Sequence, residues 1–214
     1  MIENLFESIT NPRLRALAER GTIRSYRKGS TLIEEDDLGS TLFIVLKGRL
    51  KAFSRSVANE REIIYGVYSA GDLIGEMSLD DGPRSANVSA VEATTCAVVT
   101  KETVKSYIVE VPDFAFDLLA RVIARARRAT HSARSMMLVD AYGRLTELLT
   151  SLAPTQRDGT HLVSEKLSHQ EIASRIGCSR EMVSRLIKDL ETGGYLALTQ
   201  TKQIRILKIP PARW

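Results

Sequence analysis

The stretch 168–194, SHQEIASRIGCSREMVSRLIKDLETGG, constrains the fold of this chain more than any other. Its apolar positions predict two short helices, with Ile172 and Ile176 on the first and Val183, Leu186, Ile187 and Leu190 on the second. Ser168 and Glu171 stand in the S-x-x-E spacing of a capping box, which starts the first helix at Ser168. Gly177 supplies the turn, and Ser179 is placed to cap the second helix. That leaves Arg180, Glu181 and Arg185 on the outer, N-terminal side of the second helix. A helix lying in the major groove of DNA presents side chains to base edges from that region. Arginine bonds guanine O6 and N7 together, and glutamate accepts from cytosine N4. An ordinary helical hairpin with a solvated charged face would not need the caps, the turn glycine and the R-E-x-x-x-R spacing in combination. Together they favour a DNA-binding helix-turn-helix.

Charge agrees with that reading. The net charge is +4, but residues 1–112 hold 14 basic and 16 acidic side chains, whereas 141–214 hold 11 basic and 7 acidic. The positive excess falls in the half with the two-helix motif, and attraction to phosphates supplies much of any affinity for DNA. With 43% hydrophobic and 26% charged residues, a chain of 214 can build one large or two modest soluble domains. No apolar run is long enough to cross a membrane, and no basic-then-apolar start resembles a signal peptide. The first 21 residues read as an amphipathic helical stretch instead. Cys96 and Cys178 lie far apart without a C-x-x-C pattern, which points to a reducing, cytoplasmic setting.

Between Thr22 and about Lys101 the sequence breaks into short runs such as TLFIVLKG, REIIYGVY, RSANVSAV and TTCAVV, punctuated by glycines. Their composition predicts strands, and so many at close spacing predict an antiparallel barrel or jelly roll. From Pro112 the pattern turns helical. Phe116, Leu119, Ile123, Ala126, Thr130, Ala133 and Met137 recur at alternating spacings of three and four until Asp140. Arg121, Arg125, Arg127, Arg128 and Arg134 flank this seam, and small residues at 126, 129 and 133 allow close approach. So narrow a seam could lie across the barrel, but pairing with a second copy is favoured, because a helix-turn-helix usually reads two half-sites one DNA turn apart. A further helix, AYGRLTELLTSLA, breaks at Pro154, and the polar loop PTQRDGT follows it. YLALTQTKQIRILKI alternates as a two-stranded hairpin, which makes the end of the chain a winged helix.

A strand-rich half, a long helix and a winged helix-turn-helix in this order resemble the cyclic-AMP receptor protein / fumarate-nitrate regulator (CRP/FNR) superfamily of bacterial transcription factors. QEIASRIGCSREMVSRLIKDLE is similar to the recognition motif of its cyclic-AMP receptor branch. AGDLIGEMSLDDGPRSANVSA resembles the family's phosphate-binding cassette, with a shorter stretch between Glu76 and Arg84. The resemblance implies an α+β chain. A double-stranded β-helix (jelly-roll) cyclic-nucleotide-binding domain would occupy 1–112, a central dimerisation helix 113–139, and a winged helix-turn-helix 140–214. It also implies roles residue by residue. Arg180, Glu181 and Arg185 would read a TGTGA-like half-site in an inverted repeat of double-stranded DNA. Ser168, Gln170, Ser179 and Lys202 would contact phosphates, and Met182 stands where the family often has threonine. In the cassette, Gly75 and Glu76 would hold a ribose hydroxyl and Arg84 and Ser85 the cyclic phosphate, with Met77 among the pocket residues. Ala129 and Thr130 fall where the family has a threonine and a serine whose hydroxyls reach the adenine of cyclic AMP; only Thr130 keeps a hydroxyl. The loop 154–160 matches the place where the family's activators touch RNA polymerase, although a plain polar loop is the simpler reading.

The implied mechanism is a population shift. Nucleotide under the barrel would contact the central helix near 125–130 and turn the DNA-binding domains about a hinge near Asp140. Rival classes fare worse on the residues. A cupin-type enzyme needs clustered histidines in its barrel, yet His131, His161 and His169 all lie beyond the strand-rich half, so no catalytic or metal-binding residue is expected. An iron–sulfur sensor needs about four cysteine ligands, and the chain has two cysteines. A regulator that binds no ligand, or one that responds to cyclic GMP, cyclic di-GMP or a haem-bound gas, stays open beside cyclic AMP.

Overall fold

The amphipathic N-terminal stretch does not form one helix. Pro12 sits at the first position of α1 (Pro12–Glu19), and the Asn11 side chain accepts a hydrogen bond from Leu14 N, so a new helix is capped there. The residues before it form a separate 3-10 helix, Glu3–Ser8. The computed structural model describes residues 3–56, 61–154 and 161–211. It comprises two units, 1–128 and 129–214, whose division falls within the long helix α3 (Asp113–Leu138).

In the first unit, eight strands follow α1: β1 (Thr22–Tyr26), β2 (Thr31–Ile33), β3 (Thr41–Lys47), β4 (Leu50–Arg55), β5 (Glu62–Tyr68), β6 (Leu73–Ile74), β7 (Asn87–Ala90) and β8 (Thr94–Thr100). They form two four-stranded antiparallel sheets, in the orders β1-β8-β3-β6 and β2-β7-β4-β5. This is the jelly roll the short glycine-punctuated runs predict. β3 is buried on both faces, which explains its continuous apolar text. Phe43 and Val45 pack with Ile33, Leu50, Val88 and Cys96 of the barrel interior. Leu42, Ile44 and Leu46 turn the other way, onto Leu14, Leu17, Val104, Tyr107 and Phe114.

The sequence reading starts the helical region at Pro112; the structure starts it earlier, with α2 (Lys101–Glu110), whose cap Thr100 accepts from Thr103 N. A run rich in Thr, Val, Tyr and Ile has strand-like composition, and the cap together with burial of Val104 and Tyr107 decides against it. Phe114 anchors the start of α3 in the same core, edge-on to Tyr107 with ring centroids 5.1 Å apart. Farther along, Phe116, Leu119 and Ile123 are exposed.

The second unit contains α4 (Ala141–Ser151), β9 (His161–Leu162), α5 (His169–Ile176), α6 (Arg180–Thr192), β10 (Leu196–Leu198) and β11 (Ile204–Ile206). Asp140 caps α4, as its place at the end of the seam suggests, and α4 stops before Pro154. The hairpin β10–β11 is the expected wing, and β9 joins it in the order β10-β11-β9. Leu145, Leu149, Ile172, Ile176, Val183, Ile187 and Leu190 form the core beneath it. Of the loop assigned to RNA polymerase, 155–160 lie outside the described residues.

Candidate functional site

Local chemistry sets the geometry of the helix-turn-helix. The Ser168 Oγ accepts from Glu171 N at 3.2 Å while the Glu171 carboxylate accepts from Ser168 N at 2.8 Å, closing the capping box. Gly177 ends α5 at φ +66, a left-handed conformation that glycine adopts without strain, and Cys178 N then returns to Ala173 O. Ser179 caps α6 by accepting from Met182 N. Burial of Val183, Ile187 and Leu190 fixes the rotation of α6, so Arg180, Glu181, Met182, Arg185 and Lys188 are exposed. The helix N-terminus adds a partial positive charge beside Arg180. Gln170 is exposed on α5. Lys202 stands apart from both helices, exposed at φ +61 in the turn of the wing.

Two further residues of this unit escape sequence reasoning. Arg144 of α4 donates to Ile176 O, at the end of α5, and to Val139 O, just past α3. His169 is half-buried with Nδ1 2.8 Å from Ser184 Oγ of α6. Neither pairing follows from spacing, because each joins separate elements.

The cassette residues come together in the first unit. Gly75 adopts φ +95 ahead of a short 3-10 turn, Glu76–Ser78. A Cβ there would stand 2.8 Å from Thr41 O and 2.9 Å from Arg84 Nη1, so the position excludes a side chain. Glu76 and Arg84, which could have formed an incidental ion pair inside the barrel, do not pair. Glu76 binds Arg125 of α3, whose guanidinium also donates to Leu73 O and lies 4.9 Å from the Tyr68 ring centroid. The Glu76 side chain is 1% exposed and its Oε2 has no hydrogen-bond partner among the described residues. Arg84 is buried and donates to Thr41 O at 2.8 Å, Thr41 Oγ1 at 3.2 Å and Gly75 O at 3.2 Å, all neutral acceptors. Burial pushes its pKa down against the opposing pull of Asp37 and Glu76. Ser85, exposed, donates to the sulfur of Met77, which is exposed as well. The loop between them is pinned by buried Lys101, which pairs with Asp81 and holds that carboxyl below its usual range. Ala129 and Thr130 are exposed on α3 and belong to the other unit.

A guanidinium held by neutral acceptors keeps its charge available to an anion, and a buried carboxylate oxygen without a donor attracts a hydroxyl. Among the described residues no cluster of His, Cys, Asp and Glu could hold a metal ion, and no helix is long and apolar enough to cross a membrane.

Comparison with known proteins identifies both domains. Residues 23–110 match the family described as the cyclic nucleotide-binding domain, and 143–210 match the Crp-like helix-turn-helix domain. The cAMP-activated global transcriptional regulator CRP of Escherichia coli O6:H1 is 31% identical over 189 residues, covering 85% of this chain and 88% of its own. The CRP-like cAMP-activated global transcriptional regulator of Mycobacterium tuberculosis (strain CDC 1551 / Oshkosh) is 26% identical over 198 residues, covering 91% and 88%. Among solved structures, the c-di-GMP-responsive global regulator CLP of Xanthomonas campestris shares the fold with a TM-score of 0.80 at 20% identity, over 92% of this chain and 98% of that one. With a cyclic-nucleotide-binding jelly roll, a long helix and a winged helix-turn-helix, the chain belongs to the CRP/FNR family of transcription regulators.

Proposed function

We propose that the protein is a homodimer that binds a TGTGA-like inverted repeat in double-stranded DNA under the control of cyclic AMP. Arg180 and Arg185 take guanines and Glu181 a cytosine, while Ser168, Gln170, Ser179 and Lys202 hold phosphates and fix the register. The observation that carries the effector assignment is the juxtaposition of two buried groups. Arg84 donates only to neutral atoms, and Glu76 Oε2 accepts nothing, among the described residues. A cyclic phosphodiester carries one negative charge for Arg84 and Ser85, and its ribose carries a hydroxyl for Glu76. The relatives from E. coli and M. tuberculosis, both described as cAMP-activated, support the same effector.

Effector binding would act through Arg125, because this α3 residue already holds Glu76. A ligand that engages Glu76 changes the energy of that pair, and so shifts the equilibrium between arrangements of α3 and of the DNA-binding region beyond Asp140. Its leverage is limited to its differential affinity for those states.

The test is an anisotropy titration onto a fluorescent palindromic duplex with TGTGA half-sites, with and without cyclic AMP, against a scrambled duplex. Specific binding should tighten at least about tenfold with cyclic AMP, about 1.4 kcal/mol of coupling. Specific binding indifferent to cyclic AMP would remove this effector and turn attention to cyclic GMP, cyclic di-GMP or constitutive action. No preference for the palindrome would remove the base-reading roles.

A further inference from the structure

We propose that His169 is a DNA-phosphate-binding residue whose protonation makes operator affinity depend on pH. The proposal rests on the assignment of α6 as the base-reading helix and adds a proton to its regulation. His169 is the first residue of α5, directly after the cap Ser168. Its Nδ1 lies 2.8 Å from Ser184 Oγ. Ser184 follows Arg180 and Glu181 by one turn of α6 and adjoins Arg185, so it borders the exposed face those residues form. The imidazole therefore stands where the N-terminus of α5 meets the exposed face of α6. Among the described residues nothing bonds Nε2, the nitrogen on the far side of the ring.

The identity of the partner matters. A backbone carbonyl at Nδ1 would require a hydrogen there, leaving neutral Nε2 as a lone pair that repels a phosphate. A hydroxyl both donates and accepts. With a neutral ring, Ser184 donates to Nδ1 and Nε2 carries the hydrogen; with a protonated ring, both nitrogens donate and Ser184 accepts. Nε2 can thus offer a donor in either state, and protonation changes only the charge behind it.

Neighbouring charges set the direction. On α5, Glu171 is turned to the Ser168 N and Oγ. On α6, Arg180, Glu181, Arg185 and Lys188 lie within one turn of Ser184, and Lys166 lies in the segment before α5. A DNA phosphate at Nε2 favours the protonated ring over the neutral one, so the complex takes up a proton and affinity rises as pH falls.

The experiment titrates the palindromic duplex at about pH 5.5 and about pH 8.5 at fixed ionic strength, within the range where histidine titrates. Wild type is compared with His169→Gln and His169→Arg, each checked for folding by thermal melting. Wild-type affinity should rise at least about fivefold at the lower pH, the difference between a charge-assisted and a neutral hydrogen bond. His169→Gln should lose that rise, although His131 and His161 remain. His169→Arg should bind tightly at both pH values. The slope of log K against log salt should steepen at low pH by about 0.9 per recognition helix in wild type alone. A bond that only joins the two helices predicts the same pH profile and salt slope in wild type and His169→Gln, and that result overturns the proposal. Absence of palindrome preference at either pH would instead overturn the reading of α6.

Discussion

Arg84 owes its position to two missing side chains. A Cβ at Gly39 would come within 2.6 Å of Arg84 Nη2 and 2.7 Å of Nε, and one at Gly75 would meet Nη1 at 2.9 Å. Gly39→Ala should therefore displace the guanidinium, with about 1–3 kcal/mol of lost stability from overpacking. The DNA-binding unit should be untouched, so specific DNA binding persists while its tightening by cyclic AMP falls at least about tenfold, read by anisotropy. An unchanged cyclic AMP response would mean that Arg84 does not hold the effector. Cys96 makes a second test. Burial pushes its thiol up to about 12, leaving almost no thiolate near neutral pH. Mild alkylation of the folded protein followed by mass spectrometry should label half-buried Cys178 well before Cys96. At this scale the sequence discloses whatever depends on near neighbours: Ser168 with Glu171, Gly177, and Ser179 with Met182. It does not disclose the partner of Glu76, because Arg125 is 49 residues away and only the packing of α3 brings it near.

Elements are legible where their apolar pattern is regular. β3, α4, α5 and α6 carry an unambiguous apolar pattern or explicit caps. β9 has two residues and exists only because β11 offers it an edge. α2 is hidden by composition, since KETVKSYIVE holds five residues, Thr103, Val104, Tyr107, Ile108 and Val109, whose β-branched or aromatic side chains favour strands. Its helicity depends on Thr100, whose side chain accepts from Thr103 N. Thr100→Ala should lower stability by about 1 kcal/mol, the usual value of a helix cap. Thermal denaturation should show a fall of a few degrees, with affinity for the palindrome unchanged. A large loss of DNA affinity would show that α2 takes part in more than support of the jelly-roll core.

For the whole molecule, the unresolved balance is between apolar surface and solvent. Phe116 is 72% exposed, Leu119 52% and Ile123 42% on successive turns of one face of α3, and Met137 is 84% exposed farther along it. Aromatic and aliphatic side chains at a/d spacing are seldom left to water over so many turns of one helix. A second copy of the same helix, packed in register, would cover them without any further partner, and a two-fold pair would match an inverted DNA repeat. The protein should therefore run at twice its 23.7 kDa mass in light scattering. Ile123→Asp buries a carboxylate against its own copy in such a pair, so the variant should be monomeric near micromolar concentration while keeping its melting transition. Its affinity for a single TGTGA half-site should match wild type. On the palindrome it should lose the gain from linking two recognition helices, about a hundredfold or more. A monomeric wild type, or a variant that still reads the palindrome as one unit, would sever the seam from DNA recognition and leave the exposed face of α3 to another partner.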